Sequence, residues 1–230
     1  MASLSIAIQH TPAYPERREW VRTMLRQLQE EGPDVPVRII KDSKQHGCWP
    51  TYLRALKAAS ETSHHLILQD DVALCRDFID SVLEVIESRP RNMIALFTNS
   101  RLVYTARNRG EAWIEKTRVP CPALVWPRAL IGEFIAWQSA HVAQEFPWDD
   151  ARISMWIANT SHRAFATVPS LAQHLGAHAS TLGLNGSGKT ASWYVGSNRS
   201  ALGIDWTQGR RSPAKDQKKV QAECWQYFRE

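Results

Sequence analysis

Residues 65–74, with the sequence HLILQDDVAL, place two adjacent carboxylates directly after an apolar run. The run at residues 66–68 is short and continuous, which is typical of a strand buried on both faces of a sheet. Asp70 and Asp71 then repel each other unless a cation or hydrogen-bond donors neutralise them. A helix N-cap or a solvated turn would explain the same pair without a ligand, and the sequence leaves both interpretations open.

Outward from this stretch, strand and helix patterns alternate through the first hundred residues. The predicted strands are residues 4–8, 37–40, 66–68 and 93–97. The helices between them begin at Pro15, Pro50 and Phe78. This alternation predicts an α/β fold with a mostly parallel sheet and helices on both faces.

The alternation is less regular after Phe97. Further strands are predicted at residues 123–126 and 164–168, and helices at residues 128–137 and 150–159. From Gly176 onward the sequence is rich in Gly, Ser and Asn, which predicts a mobile C-terminal region.

Ligands of open α/β sheets bind at the carboxyl ends of the strands. This rule groups Thr11, Asp42, Asp70 and Asp71 into one candidate site. A hard divalent ion, Mg²⁺ or Mn²⁺, would neutralise the two carboxylates and could also bind the phosphates of a substrate.

Residues 183–192, GLNGSGKTAS, match the spacing of a Walker A phosphate-binding loop. A working loop of that type follows a buried strand and opens a long helix. Neither pattern flanks this stretch, and about forty residues remain after it. We therefore expect no ATP or GTP hydrolysis, although the loop and Lys189 could contact a diphosphate.

The composition is that of a soluble globular protein of 230 residues with a formal charge of +5. Four cysteines show no metal-finger spacing, and the sequence shows no signal peptide and no membrane-spanning run, so we expect a cytoplasmic protein. Ten tryptophans are many for this length, and a surplus often lines a ligand site. The basic C-terminal tail is either solvated or contacts a polyanion such as DNA.

Four segments occur in an order that resembles the glycosyltransferases of the GT-A fold, which transfer sugars from nucleotide-sugar donors. They are SIAIQHTPAYPER at residues 5–17, HLILQDDVAL at 65–74, FPWDDARISMW at 146–156 and VPSLAQHLGAHAST at 168–181. QDD looks like a variant of the Asp-x-Asp metal motif of that fold. The last segment looks like a Pro-Ser-Leu-x-x-His-x-Gly-x-x-Ser motif of several N-acetylglucosaminyltransferases. The resemblance covers about residues 3–180.

The resemblance implies a role for each matching residue. Asp71 would bind the metal, His174 would be a second metal or diphosphate contact, and Asp70 would contact the ribose or a metal-bound water. Asp42 would bind the nucleoside. Asp150 would be the catalytic base of an inverting transfer, and a raised pKa in one member of its pair with Asp149 would suit that task.

Three further residues are candidates from their positions alone. Trp49 could stack on a nucleobase or acceptor, or it could pack in the core. Arg54 could meet a donor phosphate, and Lys189 could contact the diphosphate from the glycine-rich loop. His174 itself could be a buried histidine that is satisfied without any ligand.

The resemblance also implies an organisation of the chain. Residues 1–100 would form the nucleotide-sugar-binding half and residues 101–180 the acceptor and catalytic half of one domain, with a smaller acceptor-side sheet. Residues 181–230 would form a flexible loop and a basic tail. The compact, basic, Trp-rich chain is also similar to phage enzymes that glycosylate hydroxymethylated pyrimidines in DNA, which would place it in the host cytoplasm.

DNA is therefore one possible partner, and we expect no membrane partner. The charged residues around positions 107–118 would line a DNA groove, or they would form an exposed charged loop: Arg107, Arg109, Lys116 and Arg118. A glycan, a protein or a small molecule are the alternative acceptors. The alternative functions are a nucleotidyltransferase and a non-catalytic module that binds DNA or sugar.

Overall fold

The computed structural model describes residues 2–175 and 190–209. The strands in this part of the chain are β1 (Leu4–His10), β2 (Val37–Lys41), β3 (His64–Gln69), β4 (Val72–Leu74), β5 (Met93–Ala95), β6 (Trp113–Lys116), β7 (Ala123–Pro127), β8 (Ala164–Thr167) and β9 (Ala172–His174). The helices are α1 (Pro15–Glu31), α2 (Cys48–Lys57), α3 (Phe78–Ser88), α4 (Leu102–Asn108), α5 (Arg128–His141) and α6 (Asp149–Asn159).

Seven strands form the central sheet in the order β2-β1-β3-β7-β5-β8-β6. The pairs β1–β2, β1–β3 and β5–β8 are parallel, whereas β7 and β6 are antiparallel to their neighbours. Five of the seven strands therefore run in one direction. The predicted α/β class with a mostly parallel sheet is confirmed.

Strand β7 separates β3 from β5, so strands from both sides of residue 100 share one sheet. Val125 pairs with Leu66 on one side and with Ile94 on the other. β6 and β7 both run opposite to the other five strands and follow one another without a helix between them. The regular alternation of strand and helix therefore does not continue after Phe97.

Alternate residues of the strands pack on opposite faces of the sheet. Ile6 and Leu66 lie in the core with α1 and α3, whereas Ala7 and Ile67 lie in the core with α2, α5 and α6. Since strand side chains alternate between faces, continuous apolar runs let helices cover both. The predicted two-sided arrangement is confirmed.

Most of the tryptophans in the described part of the chain pack in these cores. Trp126 and Trp156 are fully buried and stack on each other with ring centroids 5.9 Å apart. Trp148, in contrast, exposes 40% of its surface, and Trp20 is half-buried outside both cores. The tryptophan surplus therefore reflects packing more than a ligand site.

A second, smaller sheet is formed by β4 and β9, as expected. It begins directly after the acidic pair, with Val72 opposite His174. Residues 190–209, predicted to be mobile, lie against the domain: the Ser192 amide donates to Thr98 (3.0 Å) and the Ser170 amide to Trp193 (2.9 Å). The glycine-rich loop with Lys189, and the basic tail from residue 210, lie outside the described residues.

Within the described residues, no helix combines the length and the apolar character that crossing a membrane requires.

Candidate functional site

The carboxyl ends of β1, β2 and β3 meet at one edge of the sheet. In the register of these strands, Gln9 of β1 pairs with Gln69 of β3, and His10 of β1 pairs with Lys41 of β2. The next residue of each chain segment therefore lies at this edge: Thr11, Asp42 and Asp70. The structure thus groups the polar residues that follow the three strands, as the sequence predicts.

Asp70 is buried and receives hydrogen bonds from three groups. The Thr11 amide lies 2.8 Å and the His10 Nδ1 atom 2.9 Å from Asp70 Oδ2, and Arg17 Nη1 contacts Oδ1. Burial raises the pKa of Asp70, and the Arg17 charge together with the Thr11 and His10 hydrogen bonds opposes that rise. Both oxygens of this carboxylate are occupied by protein donors.

Asp71 is held by two groups from distant parts of the sequence. Arg17 Nη2 lies 2.9 Å and His174 Nε2 lies 3.4 Å from Asp71 Oδ2. Burial acts to raise the pKa of Asp71, but the His174 hydrogen bond and the Arg17 charge outweigh it and leave the pKa below its ordinary value. Asp71 Oδ1 is buried and has no hydrogen-bond partner among residues 2–175 and 190–209.

Arg17 is the cation that bridges the two carboxylates, and the sequence analysis missed it. Its side chain is only 9% exposed. Arg17 lies among charged residues in the first turn of α1, which conceals its burial. Its position in the sequence indicates the burial, because Arg17 shares the buried face of α1 with Val21, Met24 and Leu28.

His174 reaches the acidic pair through the small sheet. Strand β9 pairs with β4, which follows Asp71 directly, and the Leu175 amide donates to the Asp71 carbonyl oxygen (2.8 Å). Phe97 lies beside the imidazole, with ring centroids 6.0 Å apart. The expectation that Asp71 and His174 meet is therefore satisfied by the backbone pairing of two short strands.

Whether a divalent ion fits this site depends on which side-chain oxygen and nitrogen atoms are free to ligate it. No cluster of three or more His, Cys, Asp or Glu side chains suits a metal among residues 2–175 and 190–209. Asp71 Oδ2 and His174 Nε2 lie 3.4 Å apart, which is close enough for one ion to contact both atoms. These donors, with the partnerless Asp71 Oδ1, fit an ion that takes its other ligands from phosphate and water.

Asp42 shapes the loop that leads into α2. Its carboxylate accepts the His46 amide (2.8 Å) and the Gly47 amide (3.0 Å), and the side chain is buried. Arg54, farther along α2, donates to the carbonyl oxygen of Lys41 (3.0 Å). Both predicted donor-binding residues therefore lie next to the end of β2, and both hold the backbone there.

Trp49, at the start of α2, is buried with only 5% of its surface exposed. It stacks on Tyr52 and meets Phe134 edge to face, at centroid distances of 6.5 and 6.1 Å. The guanidinium of Arg152 lies 4.4 Å from its ring centre. These contacts are those of the core alternative that the sequence left open.

The second acidic pair, Asp149 and Asp150, begins α6. Asp149 is buried, and its Oδ1 accepts the Asp150 amide (2.8 Å), while Oδ2 has no hydrogen-bond partner in the described part of the chain. Burial, together with the neighbouring Asp150 charge, raises the pKa of Asp149 to about 7. Asp150 is exposed. One member of the pair thus has the raised pKa that was expected, and it is the buried one.

The loop before α6 is held by a buried arginine. Arg152 is fully buried and donates to the carbonyl oxygens of Ala143 (2.7 Å) and Phe146 (2.6 Å) and to Gln138 Oε1 (2.9 Å). The guanidinium therefore fixes the chain that leads into Asp149 against the Trp49 ring.

The two acidic pairs border the same edge of the sheet. Gln9, at the end of β1, donates to the Cys48 carbonyl oxygen (3.4 Å), and the Cys48 thiol lies 2.6 Å from the Pro147 carbonyl oxygen. A cavity of about 400 Å³ lies elsewhere, between α2 and α5, and is lined by residues that include Leu56, Arg128 and Ile131. It is near the start of β3 and contains neither acidic pair.

No protein-family model matches the sequence, and no curated protein matches it. Among solved structures, TarS from S. aureus (residues 1–349) is similar over 73% of this chain and 58% of that chain, with 12% identity and a TM-score of 0.43. The glycosyltransferase GlyE of Streptococcus pneumoniae TIGR4 is similar over 69% and 44%, with 11% identity and a TM-score of 0.41.

A third similar structure is CMP:2-keto-3-deoxy-manno-octonic acid synthetase complexed with CTP. It covers 74% of this chain and 92% of that chain, with 11% identity and a TM-score of 0.37. The described chain spans little more than half of the TarS fragment and less than half of the GlyE chain. At this distance the similarities assign no activity, so the function is argued from the side chains of the site.

Proposed function

We propose that this protein is a glycosyltransferase that moves a sugar from a nucleoside-diphosphate sugar to a hydroxyl acceptor. The observation that carries the proposal is the meeting of Asp71 and His174, which are far apart in the sequence, at 3.4 Å. They meet at the carboxyl edge of β1–β3, where α/β sheets bind ligands. Thr11 and the Arg17 guanidinium lie beside them.

The leaving group of such a reaction is a nucleoside diphosphate, whose negative charge has to be stabilised as the sugar departs. Asp71 and His174 would hold Mn²⁺ or Mg²⁺, which stabilises charge that develops on a diphosphate. Arg17 contacts Asp70 and Asp71, so it fixes both carboxylates in one orientation before a donor arrives. Asp42 holds the loop before α2, and Trp49 and Arg54 lie on α2 itself. This loop and helix would lie beside the donor.

Inversion at the sugar requires a carboxylate on the acceptor side to take the hydroxyl proton. We assign this role to Asp150, because it is exposed and an acceptor can reach it. Asp149 lies below it, and its ionisation near pH 7 changes the charge next to the base. Proton uptake by Asp150 would thus be coupled to the protonation state of the buried Asp149.

For the acceptor we propose a hydroxymethylated pyrimidine in double-stranded DNA, held near the exposed Trp148 and Asp150. The formal charge of +5 favours a polyanionic partner. A base would have to leave the duplex to bring its hydroxymethyl group to Asp150. On this proposal the enzyme works in the cytoplasm, and in the host cytoplasm if a phage encodes it.

The experiment that tests the function measures release of nucleoside diphosphate from a panel of nucleotide sugars, with Mn²⁺, Mg²⁺ or EDTA. The purified full chain and the Asp71→Asn and Asp150→Asn variants are assayed with and without hydroxymethylated DNA. We expect metal-dependent release in the wild type, its loss in Asp71→Asn, and retained donor binding without transfer in Asp150→Asn. Release of pyrophosphate from a nucleoside triphosphate instead would indicate a nucleotidyltransferase and contradict the proposal.

A further inference from the structure

The surface of α4 combines exposed hydrophobic side chains with arginines and has no acidic residue. Leu102 and Tyr104 expose 59% and 52% of their surface. The nine residues 101–109 contain three arginines and no carboxylate, and all three arginines are exposed. An exposed aromatic side chain amid cations is a feature of surfaces that bind nucleic acid.

The spacing along α4 places Arg101, Tyr104 and Arg107 on one side of the helix, and Arg109 follows at its C-terminal end. Val103 and Ala106 are buried and anchor α4 to the core. Arg101, Tyr104 and Arg107 recur every three residues, so neighbours in this row lie side by side. The Arg107 guanidinium is also held over the Trp193 ring, 4.5 Å from its centre. In this row the Tyr104 side chain therefore lies between Arg101 and Arg107.

The α4 surface adjoins the candidate site. Phe97, four residues before Arg101, lies beside the imidazole of His174. The Thr98 carbonyl oxygen accepts the Ser192 amide (3.0 Å), which fixes the chain between β5 and α4. A strand that lies along α4 would therefore reach the edge of the sheet where the acidic pairs lie.

We infer that α4 is a docking surface for a DNA strand, with phosphates on Arg101, Arg107 and Arg109 and an unstacked base on Tyr104. The inference takes the role of this strand, as carrier of the acceptor, from the proposed function. The three arginines offer only donors, which matches phosphate, and the phenol ring offers a flat face, which matches a base.

This surface differs from the predicted groove in which Lys116 and Arg118 take part. Lys116 lies on β6 and is partly buried, whereas the three arginines of the proposed surface are exposed. Arg107 and Arg109 remain in the proposed surface, and Arg101 and Tyr104 are added to it.

The test is fluorescence anisotropy of a labelled oligo(dT) strand with the full chain, over a series of salt concentrations and without any nucleotide sugar. In the triple variant Arg101→Ala, Arg107→Ala, Arg109→Ala, we expect the slope of log K against log salt to become shallower by about 2. In Tyr104→Ala, we expect affinity to fall about tenfold with an unchanged slope.

The matched control removes three exposed arginines from other faces: Arg22→Ala, Arg26→Ala, Arg91→Ala. We expect it to change affinity less than twofold. An equal loss in both triple variants would mean that only net charge matters and would overturn the inference. Equal affinity of the wild type for poly-glutamate and oligo(dT) would overturn the assignment to nucleic acid.

Failure of this inference and failure of the proposed function give different results. The binding measurement contains no donor, and the donor-release assay can be run with water as acceptor. Loss of DNA binding in the α4 variants with unchanged donor release supports the docking surface. DNA binding that is unaffected by every α4 substitution overturns it, whatever the donor assay shows.

Discussion

Two pairs of adjacent aspartates lie at the same edge of the sheet, yet their surroundings differ. Asp70 and Asp71 share the Arg17 guanidinium, and His10, His174 and the Thr11 amide add further contacts. Asp149 is equally buried, but among residues 2–175 and 190–209 its carboxylate accepts from backbone amides and has no counter-charge like that of Arg17. Neighbouring groups of the protein compensate the negative charges of the first pair, whereas Asp149 in the second pair changes its protonation state near pH 7.

The electrostatic consequence is visible in the pKa values. In the first pair the pKa of Asp71 is below its ordinary value, while burial raises that of Asp70 against the opposing Arg17 charge. In the second pair burial and the Asp150 charge raise the pKa of Asp149 to about 7. The sequence motif is Asp-Asp in both cases, so the difference comes from the tertiary structure alone. A compensated pair is suited to hold a charged ligand in a fixed place, and a titrating pair is suited to proton transfer.

The largest effect is expected from removing the cation of the first pair. In Arg17→Met two buried carboxylates lose their counter-charge, and we expect the free energy of unfolding to fall by about 3 to 5 kcal/mol. Urea denaturation at neutral pH measures the change.

The control for this variant removes the charges together. Arg17→Met combined with Asp70→Asn and Asp71→Asn should recover most of the lost stability, because no uncompensated charge remains. If Arg17→Met alone is as stable as the wild type, Arg17 does not compensate the pair.

The next effect concerns the buried member of the second pair. Asp149 ionises near pH 7 in the folded protein and near 3.8 in the unfolded chain. As pH rises from 4 to 7, the unfolded chain releases a proton that the folded protein retains, so the unfolding free energy falls, by at most about 4 kcal/mol. Asp149→Asn lacks this term and should be more stable than the wild type by up to that amount above pH 7.

Urea denaturation of both proteins between pH 4 and 8 checks this sign. The difference in unfolding free energy should grow in favour of Asp149→Asn across the window and level off above it. A constant difference over the whole range would mean that Asp149 does not titrate there.

The smallest effect tests the coupling within the second pair. In Asp150→Asn the neighbouring negative charge is gone, so the pKa of Asp149 should fall below about 7. Burial remains, so the pKa should stay above its ordinary value. Carboxyl ¹³C chemical shifts over a pH series measure it, and an unchanged pKa would show that burial alone causes the shift.

The fold was largely predictable because apolar periodicity sets both the strands and the helix faces. The helix over residues 128–137 continues to His141, and the strand over residues 37–40 gains only Lys41. Strands β4, β6 and β9, of three or four residues each, were missed. β5 and β8 are equally short, but each belongs to a longer run of mostly apolar residues, at 93–97 and 164–168, that indicates a strand. The pairing of the missed strands depends on tertiary contacts.

The proximity of Asp71 and His174 was predictable from the sequence, but the groups that compensate the carboxylates were not. The charged sequence around Arg17 is typical of a solvated helix turn, and only its place in the buried row with Val21 and Met24 indicates otherwise. The burial of Asp149 was equally hidden, since Asp149 and Asp150 are chemically identical in the sequence. Packing, which places one inward and one outward, decides between them.

On the proposed function, Asp71 and His174 form one site for a divalent ion and a diphosphate. Isothermal titration calorimetry of UDP with the full chain, with Mn²⁺ and with EDTA, tests this site without requiring turnover. We expect Mn²⁺-dependent binding in the wild type that Asp71→Asn and His174→Ala each weaken by at least about tenfold. UDP binding that needs no metal, or that both variants retain at full affinity, would contradict it.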